Sequence, residues 1–302
     1  MLCDLNIVYP VPDFNQNITK DALVELKKTL DIVEQLGYTH VALNFSPETL
    51  TSKSNKVKLP NDLNSINPIN LAHFKEYEER LRIYSRITIK VDDPSQCQSI
   101  AKFQQIFDLV AVEPQTEKAF QSAISNLDVD IITFNLQQRL PCYMKHKTLG
   151  SAIEKGIFFE IKYTDFLNSK SRAQAISNSK QIVRASRNRG MIISSGCHVN
   201  TPFQLRNSAN VVPVLKMLGI DSNRANQMFK DWSLKALLNG RLRIKSYKQT
   251  IAIADTEGLI GNVYENKDWN SDVKVNNKKM DITSYRKRKP ETALDKALKK
   301  QK

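Results

Sequence analysis

Four polar residues stand where a buried strand would ordinarily carry valine or isoleucine: Asp4, Asn6, Arg86 and Glu160. Side chains alternate across a strand. In Ile83–Val91, Tyr84, Arg86, Thr88 and Lys90 therefore share one face and Ile83, Ile87 and Ile89 the other. In Ile157–Tyr163, Phe158, Glu160 and Lys162 alternate with Ile157, Phe159 and Ile161. In Leu2–Val8, Asp4 and Asn6 are expected opposite Cys3, Leu5 and Ile7. If the apolar sets face outer helices, Asp4, Asn6, Arg86 and Glu160 converge on one interior. Two carboxylates there suit general acid–base work, with Asp4 and Glu160 in the two roles. They equally suit a structural network in which Arg86 neutralises both. The network is the weightier reading, because charges removed from water must be paired and such pairing perturbs pKa values without any catalysis.

Metal-assisted hydrolysis needs several histidine and carboxylate ligands. The chain has four histidines, His40, His73, His146 and His198, and no H-x-H or H-E-x-x-H. His40 is expected at the start of a strand, away from the end where barrel enzymes react. Only His198 follows a strand's C-terminal end, so no metal site is expected. Ser194 and Ser195 lack the G-x-S-x-G elbow of acyl-transfer enzymes. They are expected to cap the next segment or to donate to a phosphate.

The cations are more informative. Lys180, Arg184 and Arg187 follow i, i+4, i+7 and line one helical face, with Arg189 close by. Lys145 and Lys147 lie at another helix start, where free backbone N–H groups also favour phosphate. Arg206, Arg241 and Arg243 complete the expected RNA-contacting set. Such residues neutralise phosphates and position RNA without reading its bases. The plainer alternative is a solvated helical face whose cations sit well at a helix C-terminus. There is little aromatic interleaving and no motif of the base-stacking RNA modules.

Elements must hold these groups in place. Thr19 is a good N-cap; Leu23, Leu26, Leu30 and Val33 follow at helical spacing and Gly37 stops the helix. Strands are expected at Thr39–Phe45, Ile83–Val91, Phe107–Val112, Asp130–Phe134, Ile157–Tyr163 and Met191–Ser194. Helices are expected near Leu71–Arg80, Asp93–Ile106, Thr116–Ser125, Met144–Lys155, Ser171–Arg189, Val211–Leu218 and Asn223–Leu238. About seven strand–helix units in alternation predict a parallel sheet. Their number favours a closed α/β barrel. No G-x-G-x-x-G or G-x-x-x-x-G-K-[ST] supports an open nucleotide-binding sheet.

The chain of 302 residues carries a net charge of +14, which favours polyanionic partners. Residues 241–302 hold 16 Lys and Arg against 8 Asp and Glu, and the other 240 residues 29 against 23. The folded part is therefore basic in its own right. A barrel is expected over 1–244 and a disordered basic tail over 245–302, where apolar periodicity fades. Arg286, Lys287, Arg288 and Lys289 form a cluster suited to nuclear localisation or to a phosphate-binding arm. The four cysteines are widely spaced and are expected reduced. Neither a signal peptide nor a membrane span is expected.

Several segments resemble, in order, the barrel-shaped protein subunit of nuclear ribonuclease P and RNase MRP, in its fungal form. They are Gly37–Phe45, Tyr84–Thr88 followed by Asp92–Ser95, Phe107–Val112, Leu127–Ile132, Phe159–Ile161, Arg187–Gly196 and Leu237–Arg241. The resemblance covers about residues 1–245. The resemblance implies a TIM-like barrel related to the polymerase-and-histidinol-phosphatase metallohydrolases. Those relatives open with H-x-H, where this chain has Asp4-Leu5-Asn6. It also implies a non-catalytic subunit that braces a large structured RNA and contacts small α+β protein subunits. The holoenzyme would remove 5′ leaders from precursor tRNA, and RNase MRP would process precursor rRNA. The chain itself would bind no cofactor, with catalytic magnesium on the RNA, and it would reside in the nucleus and nucleolus. The competing classes are a barrel metallohydrolase acting on phosphoesters and a metabolic barrel enzyme, for which Ser194-Ser195-Gly196 is the only candidate phosphate loop.

Overall fold

The computed structural model describes residues 1–14, 16–47, 67–94 and 100–245. The expected disordered tail with its Arg286–Lys289 cluster, residues 48–66 and part of the helix expected over Asp93–Ile106 lie outside the described residues.

Eight strands form one parallel sheet: β1 (Cys3–Val8), β2 (His40–Phe45), β3 (Arg82–Val91), β4 (Leu109–Pro114), β5 (Ile131–Ile132), β6 (Phe158–Lys162), β7 (Met191–Ser194) and β8 (Cys197–His198). Their order is β7-β6-β5-β4-β3-β2-β1-β8. The two outermost strands are one stretch of chain, because only Ser195 and Gly196 separate β7 from β8. The chain leaves β6, kinks, and pairs with β1, where Ile7 faces Cys197 in register. The Gly196 N–H donates to the Asn6 carbonyl at 2.9 Å. Gly196 has φ +66°, and a Cβ there would stand 2.9 Å from Cδ of Lys162, so the kink requires glycine. The fold is a TIM-like α/β barrel.

The helices are α1 (Lys20–Gln35), α2 (Ile100–Phe103), α3 (Glu117–Ser125), α4 (His146–Glu154), α5 (Arg172–Ser186), α6 (Ser208–Met217), α7 (Ser222–Phe229) and α8 (Asp231–Lys245). Thr19 caps α1 by accepting from the Ala22 amide, as its position predicts. The helix expected over Asn223–Leu238 is two helices, broken at Lys230, whose backbone (φ −110°, ψ −82°) is not helical. The segment near Leu71–Arg80 is a 3-10 turn, Leu71–Tyr77.

Alternation sorts the strands into two apolar layers. Val41, Leu43, Phe45, Ile87, Val110, Val112, Phe159 and Ile193 face outward and pack with Leu26, Leu30, Phe103, Phe120, Leu149 and Ile182 of the helices. Cys3, Leu5, Ala42, Tyr84, Leu109, Ala111, Ile131, Phe158 and Ile192, all near strand starts, fill the barrel interior. Ala236 and Leu237 of α8 pack against that inner layer, so α8 closes the N-terminal end of the barrel instead of joining the outer ring.

This placement corrects the expectation for Arg241 and Arg243. Arg241 is 3% exposed and its guanidinium lies 2.6 Å from Asp108. Arg243 pairs with Asp130 at 2.5 Å. Both cations are spent anchoring α8 to the starts of β4 and β5 and do not present themselves to a phosphate.

The alternation expected for β1 also needs correction. Its register with β2 shifts between Asp4 and Ile7. Such a bulge flips which face a residue occupies. Cys3 and Leu5 point inward and Ile7 outward, while Asn6 still reaches the interior.

Candidate functional site

Arg86 is fully buried. Its guanidinium forms a two-pronged bond to Glu160, Nη1 to Oε1 at 2.6 Å and Nη2 to Oε2 at 2.7 Å. Nη1 also donates to the Leu5 carbonyl at 2.7 Å, and Nε donates to Thr88 Oγ1 at 3.3 Å. Thr88 donates to Asn44, Asn44 donates to Asn6, and Asn6 donates to both Glu160 oxygens. Ser194 adds a 2.5 Å bond to Glu160 Oε1. The ring crosses β1, β2, β3, β6 and β7 and forms a polar layer above the inner apolar one. Burial alone would push the Glu160 carboxyl up, but Arg86 and the Ser194 hydroxyl bring it down to about 2. A carboxylate held in its charged form by five hydrogen bonds from three residues is neither a general base nor an acid at neutral pH.

Asp4, expected as the second carboxylate of this cluster, is not in it. Its Oδ1 accepts from the backbone amides of Asn6 at 3.2 Å and Ser195 at 3.0 Å. Burial raises its carboxyl to about 6, against the lowering effect of those bonds. Asp4 thereby ties β1 to the kink that closes the barrel. His40, as expected, lies at the closed end, 2% exposed and parallel to the Tyr84 ring at 6.1 Å. Burial, with Arg82 and the chain's amino terminus nearby, lowers its imidazole to about 4.

These two groups pull stability in opposite directions with pH. Asp4, raised in the fold, contributes stability below pH 3.8 that is lost as pH rises toward 6. His40, lowered in the fold, contributes stability above pH 6.5 that is lost as pH falls toward 4. Asp4→Asn should remove the first and leave the second exposed. Urea unfolding at pH 5.0 and 6.5 should then show the variant gaining roughly 1–2 kcal/mol more than the parent between the two values. Equal gains in parent and variant would mean that Asp4 is ionised throughout.

Above the polar layer the C-terminal strand ends open into a cleft of about 960 Å³. Amides and hydroxyls dominate it, from Asn6, Asn44, Asn135, Gln137, Asn200, Thr88, Thr133 and Thr164, with Lys90, Lys162, Glu113, Asp165 and His198 among them. Among the described residues no three of His, Cys, Asp and Glu gather to hold a metal ion.

The basic surface lies elsewhere, on α5. Two adjoining grooves share Lys180 and Arg184. One continues to Arg187 and to Lys216 at the end of α6; the other runs to Lys145 and His146 at the start of α4. Among the described residues no acidic side chain lines either groove. Lys145, Arg184, Arg187 and Lys216 are exposed. Lys180, Arg184 and Arg187 share one surface, as their spacing predicts, and Lys145 of α4 joins them there. Lys216 joins them across some thirty residues of sequence, with no local pattern to announce it. The helix ends earlier than its sequence suggests. Arg187 is its C-cap at φ 53°, and Asn188 follows at φ 57°. This left-handed turn aims Arg187 into the groove, while Arg189 is exposed just beyond it.

Lys147 is exposed in the first turn of α4 but lines neither groove. Arg206 is half-buried, and its guanidinium folds back onto the carbonyls of Phe203 and Leu205. It braces its own loop and does not join the α5 surface.

The family model described as RNase P subunit p30 matches residues 1–245. The ribonuclease P/MRP protein subunit RPP1 of Saccharomyces cerevisiae is 40% identical over 85% of this chain and 87% of its own length. A probable ribonuclease P protein subunit 3 of Schizosaccharomyces pombe is 31% identical over 83% and 98%. A chain from the cryo-EM structure of archaeal ribonuclease P with mature tRNA superposes with a TM-score of 0.57 at 15% identity, covering 83% of this chain and 98% of that one. With the whole described barrel inside the matched region, this chain belongs to the RNase P subunit p30 family.

Proposed function

We propose that this chain is a non-catalytic, RNA-binding structural subunit of ribonuclease P and RNase MRP. It braces a large structured RNA in each complex and contacts small α+β protein subunits. Catalytic magnesium belongs to the RNA, and the complexes act on precursor tRNA and precursor rRNA in the nucleus and nucleolus. Family membership supports the assembly. The observation that carries RNA binding is the acid-free groove pair along α5, where Lys145, Lys180, Arg184, Arg187 and Lys216 converge. Cations without facing carboxylates among the described residues, and with only Tyr143 and His146 as rings, suit contacts to phosphates rather than to bases.

Arg184→Ala combined with Arg187→Ala tests this. RNA affinity should fall at every salt concentration, and the log–log slope of affinity on salt should flatten by about one to two. An unchanged slope would remove α5 from the RNA interface. The reading as a phosphoester metallohydrolase has less support. Among the described residues the strand ends present mainly amides, hydroxyls and lysines, and the candidate ligands there, Glu113, Asp165 and His198, form no cluster that could hold a metal ion.

A further inference from the structure

The cleft at the C-terminal strand ends takes no part in the α5 surface, yet it has the features of a built site. Thr133 is 2% exposed, lines the cleft, and its hydroxyl has no partner among the described residues. Asp165, 7% exposed and lining the same cleft, uses one carboxylate oxygen for Gln137 and leaves the other without a partner among the described residues. Buried polar atoms without partners cost free energy, and in native structures they commonly mark a binding role. Two cations flank them, Lys90 on β3 and Lys162 on β6. Lys162 is not loose, because its stem lies across the side-chain-free face of Gly196. The floor is the rigid Asn6–Asn44–Thr88 portion of the Arg86–Glu160 network.

We propose that this cleft binds a ribose-phosphate group, with Lys90 and Lys162 on the phosphate and Thr133 and Asp165 on the sugar hydroxyls. The chemistry selects this class. Lysines bind phosphate as point charges, and a carboxylate beside them accepts hydrogen bonds from ribose hydroxyls. A bare anion would leave the carboxylates of Asp165 and Glu113 unused. Among the described residues no Phe, Tyr or Trp lines the cleft and His198 is its single ring, so recognition falls on the sugar and phosphate rather than on a base. The same group can come from a free sugar phosphate or from the phosphorylated end of an RNA strand.

Calorimetric titration of the full-length chain with ribose 5-phosphate, inorganic phosphate and a 5′-phosphorylated oligoribonucleotide tests the assignment. The probes should be applied to the parent and to Lys90→Met, Lys162→Met and Thr133→Val, with thermal melts to confirm that each is folded. Saturable one-to-one binding of ribose 5-phosphate is expected, tighter than that of inorganic phosphate. Each lysine variant should weaken it about tenfold or more, and Thr133→Val should weaken the sugar phosphate but not inorganic phosphate. If the oligoribonucleotide alone shows this pattern, the group is a strand end; if the free sugar phosphate matches it, the source is a small molecule. No binding of any probe, or binding indifferent to both lysine variants in folded protein, would overturn the proposal.

Discussion

Arg86→Ala should destabilise the barrel by ~3–5 kcal/mol, because it leaves Glu160 charged, buried and without its main partner. The parent carboxyl is held at about 2 chiefly by Arg86 against the effect of burial. In the variant that opposition disappears, and protonation of Glu160 should recover part of the loss at low pH. Replacing both ends together, Arg86→Met with Glu160→Leu, should cost far less than Arg86→Ala alone, since apolar side chains of similar volume often substitute for a buried pair at little cost. Urea midpoints for the single and double variants check both statements. Near-parental stability of Arg86→Ala would mean that the polar layer contributes nothing to holding β1, β3 and β6 together.

The second large effect is expected at the other end of the barrel. A Cβ on Gly240 would stand 2.1 Å from the Asp108 carbonyl oxygen. That atom is backbone in β4's approach and cannot turn aside. Gly240→Ala must therefore lift α8 off the barrel end, weakening the Arg241–Asp108 and Arg243–Asp130 pairs and uncovering Leu5, Tyr84 and Leu109. A loss of about 3 kcal/mol or more is expected, at the upper end of overpacking penalties. Gly150→Ala is the matched control. It lies inside α4 with nothing near its absent Cβ, so alanine should stabilise by roughly 0.5–1 kcal/mol. Loss at both positions, or at neither, would show that close approach of α8 is not what requires glycine at 240.

What the sequence made legible follows from which interactions are local. On β3 and β6 a strict period of two put Arg86 and Glu160 on one interior face, and the structure joins them. On β1 the same rule put Asp4 with Asn6, and the bulge between Asp4 and Ile7 broke it. A bulge depends on the partner strand and leaves no mark in a six-residue alternation. The i, i+4, i+7 spacing of Lys180, Arg184 and Arg187 survives as a surface, although the last of them sits in a left-handed turn. Arg241 and Arg243 look identical in sequence to those surface cations. Their partners Asp108 and Asp130 lie 133 and 113 residues away, so only tertiary contact distinguishes an anchored arginine from a free one. Lys216 and the unpartnered Thr133 were hidden for the same reason.

The most direct measurement is affinity purification of the tagged chain from its own cells, with sequencing of the copurified RNA and a precursor-tRNA cleavage assay on the eluate. One or two abundant structured RNAs and accurate removal of the 5′ leader are the predicted result, with both reduced in the Arg184→Ala, Arg187→Ala variant. A folded chain recovered free of RNA and of leader-cleaving activity would contradict the account.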